Sequence, residues 1–216
     1  MAITFPLPVD DFFSELPITT MGFQLTDQRA TAETRGGDII VTDSGDRLWE
    51  GEVVLDTEET AIAKRFVALA ELLGESAGSL FVSPEHHDAS PIGAATLKGV
   101  RNGNELKLGN LAPGTTLRAG DFISFEYGAN PTRYALHQIA DLADAVAGPA
   151  PQGSTVGETN YVRVVPAIQP GYSTGTTVRV SFPRCKAIMK PNSLRAPTFS
   201  GIWAKGWSFT WRQTSR

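Results

Sequence analysis

Short runs of strand-forming residues, separated by turn signals, fill the chain between Ala95 and Phe182. Asn-Gly is the strongest short-range signal for a β-hairpin, and it occurs at Asn102-Gly103. The 21 Gly and 14 Pro among 216 residues favour a β-rich chain over a helical bundle. Regular short strands predict a small barrel or sandwich. The predicted strands are Ala95–Val100, Glu105–Leu108, Thr116–Leu117, Asp121–Tyr127, Arg133–Ile139, Tyr161–Val165 and Thr177–Phe182.

The residues that flank this series predict a second β unit with one helix. Leu48–Leu55 alternates as a strand with one buried face does, and 57–74 has the apolar spacing of a helix. Asp56 is the expected N-cap, with Glu59 as its capping-box partner. A further helical turn is predicted at Asp141–Val146. The apolar stripe of the main helix consists of Ile62, Phe66, Leu69 and Leu73.

We therefore expect a mainly β protein with one helix, in which the series of short strands is inserted into the flanking unit. Pro91-Ile92-Gly93 and Pro183 mark the edges of that insertion. The predicted boundaries are 1–93 and 183–216 for the first domain, and 94–182 for the inserted domain.

The run Ile202–Thr214 alternates sharply and predicts a strand with one aromatic face. Such a face is usually core, because each aromatic ring buries a large apolar area. Two alternatives remain, since exposed rings could stack on sugars or contact another subunit. The aromatic residues of this face are Trp203, Trp207, Phe209 and Trp211.

Charge and cysteine content exclude several classes of protein. The net charge of -4 disfavours a nucleic-acid binder, which would normally be basic. The single cysteine, Cys185, excludes an intrachain disulfide. The first residues lack the basic start and apolar run of a signal peptide. No apolar stretch is long enough to cross a membrane, so we expect no membrane span. We also expect synthesis in a cytoplasm.

The sequence carries no recognisable catalytic motif, and we expect no enzyme, no catalytic residue, no cofactor and no metal. His86-His87-Asp88 resembles a metal site only superficially, because neighbouring strand residues point to opposite faces. His137 is the one further histidine. Cys185 beside Lys186 could have a lowered thiol pKa, although a buried small residue is the simpler interpretation.

Several segments, in this order, resemble the distal tail proteins of long-tailed, siphovirus-like bacteriophages and gene transfer agents. Each segment is structural and weak alone, and the joint order covers most of the chain from about Phe23. The matching segments are Leu48–Leu55, Leu69–Gly74, Gly78–Val82, Thr116–Ile123, Tyr134–Ile139 and Phe182–Met189, followed by the Trp-rich terminal strand.

That resemblance implies that the first domain is a β-sandwich with one packed α-helix, interrupted by a small β-barrel-like insertion. It implies a structural subunit of the phage tail tip, with no enzymatic activity. It implies a homohexameric ring at the tip of the virion tail that joins the tail tube protein to the hub protein of the baseplate. Tape-measure protein and host surface glycan are further candidate partners. Strand edges on Arg29–Val41 are the candidate side contacts of the ring, because strand edges are natural pairing surfaces.

Two other hypotheses compete with a tail-tip subunit. The first is a carbohydrate-binding β module that contacts host polysaccharide through the tryptophans or an insertion loop. The second is a hydrolase whose active site has no recognisable motif. Oligomer size separates the ring subunit from both, because only the ring subunit must form a hexamer.

Overall fold

A computed structural model describes residues 3–43, 45–75, 78–84, 92–149 and 156–214. The protein is mainly β with one α-helix and a small closed barrel of six strands, as the sequence predicts. Within the described residues, no helix has the length and hydropathy that a membrane span requires.

The part of the chain before the barrel supplies seven strands, a short 3-10 helix at Phe13–Glu15 and the single α-helix. These elements are β1 (Ile18–Met21), β2 (Gln24–Leu25), β3 (Arg29–Glu33), β4 (Ile39–Asp43), β5 (Trp49–Leu55), β6 (Glu58–Glu59), α1 (Thr60–Leu73) and β7 (Leu80–Val82).

Nine strands follow between residues 95 and 179, and four more return to the first unit. The nine are β8 (Ala95–Arg101), β9 (Glu105–Leu111), β10 (Thr116–Leu117), β11 (Phe122–Tyr127), β12 (Arg133–Ile139), β13 (Ala145–Val146), β14 (Gly157–Glu158), β15 (Val162–Val165) and β16 (Thr177–Arg179). The four are β17 (Cys185–Met189), β18 (Thr198–Ser200), β19 (Trp203–Lys205) and β20 (Ser208–Gln213).

The first unit is organised around a six-stranded antiparallel sheet in the order β1-β5-β20-β17-β7, with β2 also paired to β5. Its buried face carries alternate residues of β5 and β20, because successive strand side chains point to opposite faces. Phe12 of the N-terminal segment packs between Phe66 of α1 and Phe209 of β20, with ring centroids 6.2 and 6.5 Å away. The N-terminal segment and α1 thus cover one part of this face.

The buried face of α1 differs from the predicted stripe. Phe66 and Leu73 are buried as expected, but Ile62 is 42% exposed and Leu69 is only half-buried. Ala63 and Ala70 take their places at the interface. Small side chains let the helix backbone approach the sheet closely. A sequence search for large apolar residues does not identify alanines as part of the buried face.

The helix also starts three residues later than predicted, at Thr60 instead of residue 57. Glu58 and Glu59 pair with Trp203 and Ala204 as β6, so they are extended instead of helical. Asp56 does not cap the helix. The Thr60 N–H donates to the Ile202 carbonyl at 2.8 Å, and no side chain caps this end.

The second unit is a closed barrel. Its six strands follow each other in the order β9-β15-β12-β11-β16-β8, and β8 pairs back with β9. Strand β14 adds to β9, and β10 pairs with β13 beside the barrel. The interior is a separate hydrophobic cluster drawn from residues 95–180. The domain boundaries at 93/94 and 182/183 stay a prediction, since they require each unit to fold alone.

Strand β12 contributes to both hydrophobic cores. Ala135 and Ile139 point into the barrel, whereas Leu136 belongs to the core of the first unit. Its carbonyl accepts a hydrogen bond of 2.8 Å from Nε1 of Trp49, a residue of β5. Phe122 of the barrel lies 5.2 Å from the Trp49 ring. The outer wall of the barrel therefore covers the rest of the sheet's buried face.

Two local predictions are wrong. Ile202–Thr214 is two strands, because Gly206 has a φ of +71° and turns the chain between β19 and β20, which belong to different sheets. Asp141–Val146 contains no helical turn. Ala145 and Val146 instead pair with Leu117 and Thr116 as β13.

Candidate functional site

The cluster of the sequence that resembles a metal site is His86-His87-Asp88. It lies outside the described residues. Within the described ranges, no group of three or more His, Cys, Asp or Glu side chains is arranged to hold a metal ion.

Cys185 is a buried core residue of β17. Its side chain is fully buried beside Leu80 and Ala187 in the first hydrophobic cluster. Burial raises the pKa of its thiol far above the usual range. Lys186 does not lower that pKa, because it follows Cys185 on the strand and points to the opposite face. The residue is therefore not an activated nucleophile.

We expect Cys185 to resist alkylation in the folded protein, because only a deprotonated and accessible thiol reacts. Iodoacetamide at pH 8, followed by intact-mass measurement, should leave the chain unmodified until denaturant is added. The single cysteine makes the mass shift unambiguous. Labelling of the native protein at the rate of a free thiol would contradict this burial.

His137 lies on the inner side of β12. Its Nδ1 is 2.9 Å from the Pro166 carbonyl oxygen, and its ring stacks on Phe125 with centroids 5.4 Å apart. Burial lowers its pKa to about 4, so the imidazole is neutral at physiological pH. Because His137 stacks in the barrel whereas Cys185 belongs to the first cluster, these two residues do not form a nucleophile and base pair.

The four aromatic residues of the C-terminal segment divide into buried and exposed groups. Trp207, Phe209 and Trp211 are at most 2% exposed, whereas Trp203 is 44% exposed. Trp207 Nε1 donates to the Asp56 carbonyl at 2.8 Å. The core interpretation is therefore correct for three of the four, and a sugar platform of several tryptophans does not form.

The most unusual surface feature is a two-stranded hairpin, residues 29–43, which we call the hairpin arm. Strands β3 and β4 pair only with each other among the described residues, from Arg29 opposite Asp43 to Glu33 opposite Ile39. All side chains of β3 are exposed. Ile39, Ile40 and Val41 are 69%, 54% and 52% exposed.

A hairpin of this kind is marginally stable by itself in water. Ile39 and Val41 lie on one face of the arm and Ile40 lies on the other, because strand side chains alternate. No other described strand pairs with the arm, so each of its strands has an edge that is open for pairing within the described part of the chain.

A second exposed apolar area surrounds the start of α1, and we call it the helix-start patch. The Thr60 N–H bond to Ile202 and the position of Lys64 over the Phe199 ring, 5.9 Å from its centroid, hold this area together. Sequence patterns miss it because Ile62 matches a core stripe. The patch consists of Ile62, Phe199, Ile202 and Trp203, which are 42–68% exposed.

The hairpin arm and the helix-start patch lie at opposite ends of β5. The arm joins the sheet just before Trp49, and the patch begins just after Leu55, at β6. A seven-residue strand spans roughly 20 Å. The chain thus carries two different exposed apolar surfaces, which are attached at opposite ends of β5.

Comparison with models of known protein families gives no match to this chain, and comparison with curated proteins gives none either.

Proposed function

We propose that this protein is a structural ring subunit of a phage tail tip. Six copies close head to tail into a ring at the end of the virion tail, and the ring joins the tail tube protein to the hub of the baseplate. The observation that carries this proposal is the hairpin arm, whose apolar residues are exposed and whose two strands pair with no other strand among the described residues.

The two apolar surfaces support a head-to-tail contact. A contact between two different patches repeats indefinitely unless its rotation closes, and a closing rotation gives a ring. In the proposed assembly, the arm of one subunit lies on the next subunit beside its helix-start patch. The residues of the arm that bury apolar area are Ile39, Ile40 and Val41.

The alternative function is a carbohydrate-binding module. It has no support from Trp207 and Trp211, because both side chains are buried and cannot stack on a sugar. Glycan binding at another place on the surface remains compatible with a ring subunit.

Native mass spectrometry across a range of protein concentrations tests the ring. We expect a hexamer for the wild type and a monomer for a variant in which a short Gly/Ser linker replaces residues 29–43. The melting temperature of that variant should stay close to that of the wild type, because the arm contributes no buried side chain to either core.

A point variant sharpens this test. Ile40→Asp should weaken assembly, because it replaces an exposed apolar side chain of the arm with a charged one. The matched control is Leu142→Asp, at a fully exposed apolar residue next to the barrel and outside the arm. A wild type that stays monomeric at every concentration, or a ring of another size, would contradict the proposal. If both variants assembled equally well, the arm would not be part of the interface.

A further inference from the structure

A cleft of about 370 Å³ lies on the outer wall of the barrel, next to the segment that leads from the barrel to β17. Its lining includes two arginines, one carboxylate and four hydroxyl groups, so its chemistry differs from that of both apolar surfaces. The side chains used below are Ser124, Glu126, Thr176, Thr177, Arg179 and Arg184.

The fold directs two arginines into this cleft from different elements. Arg179 of β16 lies opposite Ser124 of β11 in the barrel wall. Their neighbours Phe125 and Val178 are buried inside the barrel, so Ser124 and Arg179 point outward. Arg184 comes from the segment that leaves the barrel for β17, and its backbone N–H donates to Ser124 Oγ at 2.9 Å.

The side chain of Arg184 packs against an aromatic ring and forms no ion pair within 4 Å among the described residues. Its guanidinium carbon lies 4.3 Å from the centroid of the Phe81 ring, a cation–π contact. Its Nε is buried and has no hydrogen-bond partner among the described residues. Burial, followed by the nearby charge of Arg179, lowers the pKa of Arg184. The charges of Arg179 and Arg184 repel each other, and an anion bound between them would offset that repulsion.

Glu126 is the only acidic side chain among the described residues that line the cleft. It forms no ion pair with either arginine within 4 Å in the described structure. Its negative charge nevertheless raises the pKa of Arg184 and so opposes part of the lowering by burial and by Arg179. A carboxylate at this position repels a doubly charged anion more strongly than a singly charged one. It can also accept hydrogen bonds from ligand hydroxyl groups.

We propose that this cleft binds a sugar carboxylate, such as a hexuronic acid residue. Arg179 and Arg184 hold the carboxylate, since the guanidinium fork matches its geometry. Ser124, Thr176, Thr177 and Glu126 bind the sugar hydroxyls. The volume lies in the range of small-molecule sites and exceeds what a bare inorganic anion fills.

Isothermal titration calorimetry of the full chain with glucuronate, glucose and inorganic phosphate tests the proposal. We expect glucuronate to bind tightest of the three. Arg179→Ala should weaken glucuronate binding by about tenfold or more, because it removes a charge-assisted contact. Arg179 is exposed, so the variant should keep its fold. Arg184→Lys keeps the charge but loses the fork, and it should also weaken binding.

The matched control is Arg118→Ala, an exposed arginine of the barrel that does not line the cleft. This variant should bind glucuronate as the wild type does. Absence of glucuronate binding, binding no tighter than that of glucose, or equal affinity for phosphate would each overturn the proposal. Equal losses in Arg118→Ala and Arg179→Ala would overturn it too, because they indicate a non-specific charge effect. None of these results depends on ring formation.

Discussion

Replacing Trp211 with alanine is expected to lower the free energy of unfolding by about 3–5 kcal/mol, the range observed when large buried aromatics are truncated. Trp211 is fully buried in β20, a central strand of the six-stranded sheet. Its ring centroid lies 4.6 Å from that of Phe23. Truncation would leave a cavity where the N-terminal strands, the sheet and the barrel wall meet.

Urea unfolding followed by far-UV circular dichroism measures this loss as a shift of the midpoint. The matched control is Trp203→Ala, because Trp203 is 44% exposed in β19. Its loss should cost no more than about 1 kcal/mol. Similar midpoints for the two variants would contradict the core assignment of Trp211.

Gly51→Ala is expected to be at least as severe, with a loss of about 3 kcal/mol or more. A Cβ at Gly51 would lie 1.7 Å from the Gly22 carbonyl oxygen and 3.1 Å from the Trp211 ring. The oxygen belongs to the backbone that connects β1 to β2, so a rotamer change cannot relieve the clash. The strands would have to separate at the place where β5 pairs with both.

Gly22→Ala is the control for that experiment. A Cβ at Gly22 would meet only ordinary contacts of 3.7 Å and 3.9 Å with the backbone of Glu52. This substitution should change the melting temperature little, whereas Gly51→Ala should yield an unstable or poorly expressed protein. A Gly51→Ala variant with wild-type stability would mean that β5 and the β1–β2 connection are further apart than described.

Local signals were sufficient for the barrel strands. Asn102-Gly103 forms the tight turn between β8 and β9, and Arg133–Ile139 matches β12 at both ends. These features depend on residues that are neighbours in sequence. The predicted buried face of α1 differs from the observed one, because the small residues Ala63 and Ala70 are buried. A prediction based on large apolar side chains does not include them.

Features that depend on tertiary structure left no local signal. The alternation of Trp203 and Trp207 continues across Gly206, although the chain changes sheets there. Trp203 and Trp207 keep the same odd-numbered alternation, but Trp203 is exposed and Trp207 is buried. The sequence alternation therefore does not reveal the change of sheet. The cleft needs Arg179 from the barrel and Arg184 from the crossing to β17, and nothing in that segment predicts that both face Ser124.

The order of strands in the six-stranded sheet has a consequence for synthesis on the ribosome. Strand β20 lies between β5 and β17, yet it follows every other described strand along the chain. All six strands that close the barrel precede β17, so the barrel can fold while the sheet still lacks its central strands. Until β20 emerges, the edges of β5 and β17 with which it pairs remain open. We expect the barrel to fold first and the sheet to close against its wall in the last step.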